Sequence, residues 1–262
     1  MRIRGQSVVV TGASAGIGRA TAVLLAARGA RVWAVARNEG RLKELAAEHM
    51  GIIPWRADIS LDEDRAALVE AVGRVDVLVN NAGVGWIGAV ADMPFADVRI
   101  LFEVNVLGLV DLTLRFLPGM LERRHGHIVN MASIAGYVSA PPLTVYSATK
   151  FAVHGFSDGL RRETAGRGVT VALVNPGPIN TEFGLRALGA EPRDGPATST
   201  VSARWVAAAV LRSIRGASVP GYQTIAVPRA MGLLRLGQVP GAARLVDLYA
   251  MATRPAMKGL RG

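Results

Sequence analysis

The chain has 262 residues, half of them hydrophobic and only 19% charged, with 30 glycines, which suits one large α/β domain with many tight turns and argues against disorder. It has no cysteine, so disulfides, thiolate metal sites and cysteine nucleophiles are excluded, and its four histidines (His49, His125, His127, His154) show no ligand spacing, so no metal site is expected. The net charge of +10 gathers towards the C-terminus, where residues 204–262 hold nine Lys/Arg against Asp247 alone; a solvated surface fits this excess, as does contact with anionic lipid, substrate or nucleic acid.

Short β-branched runs alternate with amphipathic segments of helical length, the pattern of a parallel sheet covered by helices on both faces. The predicted strands are residues 7–10, 31–36, 52–55, 75–79, 127–131, 169–174 and 222–227, and the helical segments begin near Ile17, Arg41, Leu61, Phe95, Val145 and Ser202. Runs such as Val8–Val10 are continuously apolar, as a strand covered on both faces should be. A single doubly wound α/β sheet of about seven strands is expected over residues 1–228. Four prolines make residues 175–200 a long loop suited to a lid. Beyond Pro228 a basic amphipathic tail, 229–262, reads as two helical pieces broken at Pro240-Gly241. The apolar run after the N-terminus is too short for a signal segment, and no uninterrupted stretch reaches the roughly 18 residues of a spanning helix. A cytoplasmic protein is expected.

The first strand runs into Thr11-Gly12-Ala13-Ser14-Ala15-Gly16-Ile17-Gly18 and then a helix. Backbone amides at such a turn and helix N-terminus point at whatever lies above it, so an anion is expected there. Gly12, Gly16 and Gly18 lack the Cβ atoms that would hold a pyrophosphate off the backbone. This turn resembles that of the short-chain dehydrogenase/reductase family, and two further matches follow in register. Asp58, with Ile59 beside it, matches the family's acidic contact to adenine, and Asn80-Asn81-Ala82-Gly83 matches its Asn-Asn-Ala-Gly motif. Asp58 also fits a helix cap before Leu61, and the Asn pair also fits a turn.

The end of the second strand decides between cofactors, because an acid there would bond the ribose hydroxyls of NAD and repel a 2′-phosphate. This chain has Ala36, Arg37 and Asn38 instead. An arginine fork suits phosphate, so NADP(H) is expected. A surface Arg37 with both cofactors accepted is the alternative. Ala15 stands where many NADP-preferring relatives carry a second basic residue.

Tyr146 and Lys150 are four residues apart at the start of a helical segment and so share a face, with Ser133 ending the fifth strand. Hydride delivery to a ketone leaves an alkoxide that needs a proton donor, and the reverse reaction needs a base. A tyrosine serves either way if its ordinary pKa of about 10 is brought down, as a lysine cation and a positively charged nicotinamide ring nearby would do. The family pattern of Tyr, three residues, Lys, with an upstream Ser and Asn, is met at Tyr146, Lys150, Ser133 and Asn105. By that resemblance Tyr146 is the general acid/base, Ser133 polarises the substrate oxygen, Lys150 also holds the nicotinamide ribose, and Asn105 anchors a relay water. Pro176-Gly177, followed by Ile179 and Thr181, resembles the segment that cradles the nicotinamide carboxamide.

The resemblance thus implies an oxidoreductase acting on a carbonyl or alcohol, with the substrate pocket lined by Trp86, Ile87, Tyr137, Val138, Phe183 and Leu188. These are mostly apolar, which favours a hydrophobic substrate. A homodimer or homotetramer through the helices around Leu107 and Phe151 is implied as well. The tail is expected to pack on the domain, on a partner subunit or on a membrane surface. No reader motif accompanies the charge, so no nucleic acid is expected. The rival reading is a catalytically silent NADP(H)-binding sensor or scaffold of the same fold.

Overall fold

The structure is a computed structural model and describes residues 1–179, 181–184, 186–189, 201–216 and 224–238. Seven strands, β1 (Ser7–Thr11), β2 (Arg31–Ala36), β3 (Ile52–Arg56), β4 (Val77–Asn80), β5 (Gly126–Met131), β6 (Val169–Pro176) and β7 (Thr224–Val227), form one parallel sheet in the order β3-β2-β1-β4-β5-β6-β7. The doubly wound α/β architecture is the one expected. The strand order reverses between β1 and β4, and ligands of such sheets bind beyond the carboxyl ends of the strands at that point.

The helices are α1 (Gly16–Ala26), α2 (Glu39–Glu48), α3 (Asp62–Val72), α4 (Phe95–Phe102), α5 (Gly108–Glu122), α6 (Thr144–Glu163) and α7 (Ala203–Arg215). Alternate residues of the central strands feed two cores. Val8, Val10, Val32 and Val79 pack with Leu25, Leu42, Val210 and Ile214 from α1, α2 and α7. Val9, Val35, Leu78 and Ile128 pack with Leu68, Leu112, Phe116 and Leu160 from α3, α5 and α6. Burying each such side chain contributes about 1.5–3 kcal/mol, so both sheet faces hold the strand ends rigidly.

The structure departs from the sequence reading in a few places. Val75 and Asp76 lie before β4: the Asp76 carboxylate accepts from the Ser7 amide at 3.0 Å and pairs with Arg74 at 3.1 Å, anchoring the strand's entry by its side chain. The helical segment from Phe95 is interrupted, because residues Glu103–Leu107 form a π-helical turn between α4 and α5. The tail begins as a 3₁₀-helix over Arg229–Gln238; its second piece, the start of the predicted seventh strand at Tyr222 and residues 190–200 of the loop lie outside the described residues. No helix among the described residues is long and apolar enough to cross a membrane.

Candidate active site

The glycine turn stands above the β1 end, where Gly12 and Gly16 adopt φ of +67° and +54°, a left-handed conformation that favours glycine. The structure refines the reason these positions are glycine. A Cβ on Gly12 would come within 2.8 Å of the Ala82 Cα, and one on Gly18 would collide with the Gly12 carbonyl oxygen. The chain itself fills those spaces, so both glycines serve close packing of the turn on α1 and on the segment after β4. Thr11 completes the join: its hydroxyl accepts from the amides of Asn81 at 2.9 Å and Ala82 at 3.0 Å, while the Asn81 side chain donates to the Thr11 carbonyl at 2.8 Å.

Above this joint the N-terminus of α1 has no side-chain cap at Ala15 and no acid in its first turn. Ser14, Ile17 and their neighbours therefore present backbone donors that no capping side chain satisfies, a fit for the pyrophosphate of a dinucleotide. Thr181 lies across the turn, 3.4 Å from where a Gly16 Cβ would stand. Ile179, two residues before it, packs on the core.

At the adenosine end Arg37 is 70% exposed and sits 3.6 Å from Asp58. Burial alone would raise the Asp58 carboxyl, but bonds from the Ser60 amide and hydroxyl, together with the Arg37 guanidinium, hold it below the usual carboxylate range. Asp58 therefore does not cap α3 with its side chain; its carboxylate closes a turn on Ser60 at 3.0 and 2.7 Å and faces Arg37. Asn38 caps α2, its side-chain oxygen accepting from Arg41 N at 3.0 Å. Ile59 is buried in the core beneath. Arg41 pairs with Glu182 at 2.9 Å and thereby ties the loop after β6 to α2, and Glu182 also holds Arg186.

The reacting end is buried. Asn105 lies in the π-helical turn; its side chain accepts from Val84 N at 2.8 Å and donates to Val84 O at 2.9 Å and to the Thr149 hydroxyl at 3.1 Å. Thr149 passes the contact on to the Tyr146 carbonyl at 2.7 Å. Gly83 leaves room here, since a Cβ on it would be 3.1 Å from Asn105 Oδ1 and 3.7 Å from Lys150 Nζ. A buried polar rung joins the neighbouring strand ends, with Asn80 donating to Asn130 at 3.0 Å and Asn130 to Ser157 on α6 at 2.9 Å. Ser133 caps a short 3₁₀ turn (Ile134–Gly136), accepting from Ala135 N at 3.1 Å, and its hydroxyl lies near enough to the Tyr146 phenol to lower its pKa.

The chain alone holds one of the two positive groups expected to draw off the Tyr146 proton. The Lys150 amine lies over the face of the Tyr146 ring, 5.6 Å from the centroid, and donates to the Met131 carbonyl at 3.1 Å. Burial pushes the Tyr146 phenol up to about 12 and the Lys150 ammonium down to about 8. Desolvation disfavours both charged forms and outweighs their mutual attraction at this geometry.

Of the expected pocket lining, Trp86 and Tyr137 are buried, and Trp86 packs in one cluster with Tyr146. The Trp86 indole donates to Asp97 at 3.1 Å and is clasped by Gly88 and Gly189, and Trp86 forms a parallel β-bridge with Leu188. That bridge, with Ile87 N to Leu188 O at 3.0 Å and Leu188 N to Gly85 O at 2.9 Å, staples the loop after β6 to the loop after β4. Phe183 then stands 5.8 Å from the Tyr146 ring and against Gly85. Gly177 donates to Val227 O at 2.8 Å and packs on Met231 of the 3₁₀-helix that begins the tail. Thr11, Thr149 and Met231 support the site without belonging to the expected set; only Thr11, inside the glycine motif, carried a sequence signal.

Comparison with known proteins agrees with this geometry. The family profile described as short chain dehydrogenase matches residues 6–188. Dehydrogenase/reductase SDR family member 7B of Mus musculus is 36% identical over 201 residues, which are 72% of this chain and 62% of that protein. The chain thus spans about three fifths of the length of such curated relatives. Among solved structures, a short chain dehydrogenase from Burkholderia cenocepacia in complex with NADP superposes with a TM-score of 0.81 at 28% identity, covering 95% of this chain and 98% of that one. A short chain dehydrogenase/reductase from Burkholderia phymatum in complex with NAD gives 0.79 at 28% identity, covering 95% and 96%. With the glycine turn, the Asn-Asn-Ala-Gly segment and the Ser-Tyr-Lys cluster at one end of the same sheet, the chain belongs to the short-chain dehydrogenase/reductase family.

Proposed function

We propose that the chain is an NADP(H)-dependent oxidoreductase that interconverts a carbonyl and an alcohol on an apolar small molecule, with Tyr146 as the general acid/base. The observation that carries this reading is the buried cluster of Ser133, Tyr146, Lys150 and Asn105 at the carboxyl ends of β4 and β5, next to an uncapped helix N-terminus. Solved relatives hold NADP in one case and NAD in another; Arg37 and the absence of an acid at Ala36 favour the phosphorylated form.

In this reading the α1 amides and Gly12–Gly18 hold the pyrophosphate, Arg37 the 2′-phosphate, Asp58 and Ile59 the adenine, Asn81, Ala82 and Gly83 the adenosine-to-nicotinamide span, and Pro176, Gly177, Ile179 and Thr181 the carboxamide. The bound nicotinamide supplies or accepts the hydride. Tyr146, protonated well above neutral pH by burial, donates its phenolic proton to the substrate oxygen as that oxygen gains charge. Ser133 donates to the same oxygen and stabilises its charge. Lys150, close to Gly83, returns the proton from the side facing Asn105 and carries the positive charge that favours the phenolate in the oxidative direction. Phe183, against Tyr146, supports an apolar substrate by excluding water from the phenol. Leu107, Leu114 and Phe151 remain exposed on α5, α6 and the turn between α4 and α5, which supports a homo-oligomer.

The test is a titration of NADPH and NADH followed by nicotinamide fluorescence, then a screen of ketones and aldehydes with wild type and Tyr146→Phe. Preferential NADPH binding, with turnover lost in the variant, is expected. Binding without turnover across the panel would favour the sensor reading, and tighter NADH than NADPH would remove the assignment of Arg37.

A further inference from the structure

Tyr146, Lys150 and His154 follow one another at four-residue steps along α6, so the imidazole stands on the same helix face as the two expected catalytic groups, one turn deeper. Its Nε2 bonds the Asn175 side-chain oxygen at 2.6 Å, and the Asn175 amide nitrogen in turn donates to the Tyr137 hydroxyl at 3.0 Å. Tyr137 meets the imidazole edge-on, with ring centroids 4.8 Å apart. Gly136 lies so close that a Cβ there would be 2.6 Å from His154 Nε2 and 2.9 Å from the Lys150 carbonyl. Asn175 is fully buried, and it immediately precedes Pro176-Gly177.

One ring therefore joins three elements: the 3₁₀ turn that carries Ser133, the helix that carries Tyr146 and Lys150, and the strand end that leads into the Pro176-Gly177 segment. The Ser133 hydroxyl otherwise accepts from the Ala135 amide at 3.1 Å, within its own turn, and reaches the Pro176 carbonyl at 3.5 Å. We propose that His154 is a positioning residue for the reaction: by clasping Asn175 and the turn behind Ser133, it holds the Ser133 hydroxyl at the Tyr146 phenol. This rests on the reading of Tyr146 and Ser133 given above. The imidazole does not touch the reacting atoms. Burial keeps it on the neutral side, with Lys150 adding to that effect and the bond to Asn175, together with the Ser133 backbone and Asp158, opposing it. The charged and titratable groups around it are thus Lys150 and Asp158 on its own helix and Tyr137 on the turn.

The experiment compares His154→Ala, His154→Gln and Asn175→Ala with wild type, using phenanthrenequinone and NADPH for turnover. Alongside it, the tyrosinate ultraviolet band is titrated with NADP+ bound, with Tyr146→Phe subtracted to isolate the Tyr146 ionisation. Loss of the clasp should lower kcat about tenfold, the size expected for one misplaced hydrogen bond, with the KM for NADPH within about twofold. Because Ser133 lowers the Tyr146 pKa, its ionisation should move to higher pH in His154→Ala and Asn175→Ala. His154→Gln, whose amide can still donate to Asn175, should recover both readouts. Should His154→Ala fail to fold, His154→Leu takes its place.

Wild-type kcat and ionisation in all three variants would overturn the inference. So would a kcat loss without any movement of the ionisation, or a Gln variant no better than Ala. Retention of turnover in Tyr146→Phe would instead sink the underlying reading.

Discussion

The two ends of the cofactor groove put their charges in opposite surroundings. At the reacting end Lys150 is 4% exposed and Tyr146 8%, each held by named partners. At the adenosine end Arg37 is 70% exposed, and Arg41 and Glu182 are also open to solvent. Buried charges act at low dielectric and are little affected by salt, whereas exposed ones are screened over about 10 Å at ordinary ionic strength. In the proposed reading the groove keeps its chemistry on a rigid floor and its cofactor preference on a rim that solution conditions can tune.

The contrast breaks first if the floor tolerates change. Lys150→Met is expected to lower turnover by about a hundredfold or more, within the range of a lost proton-transfer partner, and kcat measured with saturating NADPH checks this. An effect below about threefold would mean that the buried amine is only packing. The same burial has a signature in stability. Lys150 falls from its ordinary 10.5 to about 8 in the folded chain, so between those values the unfolded chain binds more protons. Stability is greatest above the upper value and is lost as pH falls towards the lower. Tyr146 rises from 10.0 to about 12; its contribution is full below 10 and is lost as pH rises through 12. Denaturant melts should therefore show a gain between pH 8 and 10 that Lys150→Met removes, and a loss above it that Tyr146→Phe removes.

Next in size comes Gly18→Ala, whose Cβ meets the backbone carbonyl of Gly12 rather than a movable side chain. A destabilisation of about 1–3 kcal/mol is expected, with weakened binding of both NADPH and NADH by fluorescence titration. On the rim the effects shrink. Arg37→Ala should weaken NADPH about tenfold at low salt while leaving NADH unchanged, and the loss should diminish as salt is added. Glu182→Gln removes an exposed pair with Arg41 and should change stability by less than about 1 kcal/mol. A salt-independent defect in Arg37→Ala would erase the distinction between floor and rim.

How far the sequence reveals this arrangement depends on the range of the interactions involved. The strands were legible because both faces are covered, so Val8–Val10 read as an unbroken apolar run. The glycine turn and the Tyr146–Lys150 spacing were legible because local backbone geometry brings those residues together. His154 was read only as an unligated histidine, because its partner Asn175 lies 21 residues away on another element. The partners of Trp86 and Tyr137 were not legible, since nothing local shows that Gly189 and Asp97 enclose the indole or that Asn175 meets the tyrosine hydroxyl. The Tyr146 and Lys150 shifts likewise come from burial, a property of the whole fold rather than of their spacing.

The π-helical turn at Glu103–Leu107 makes this region sensitive to length. Such a turn is in effect an α-helix that has accommodated one surplus residue, so α4 and α5 face the sheet much as they would if that residue were absent. Deleting one residue there would let the helix heal, with its apolar side chains still meeting Phe116 and Leu112's neighbours in the core. Asn105 alone would be carried off its bonds to Val84 and Thr149. A single-codon deletion at this point should therefore yield a well-folded chain with a dismantled site, a lesion that neither hydrophobicity nor charge would reveal.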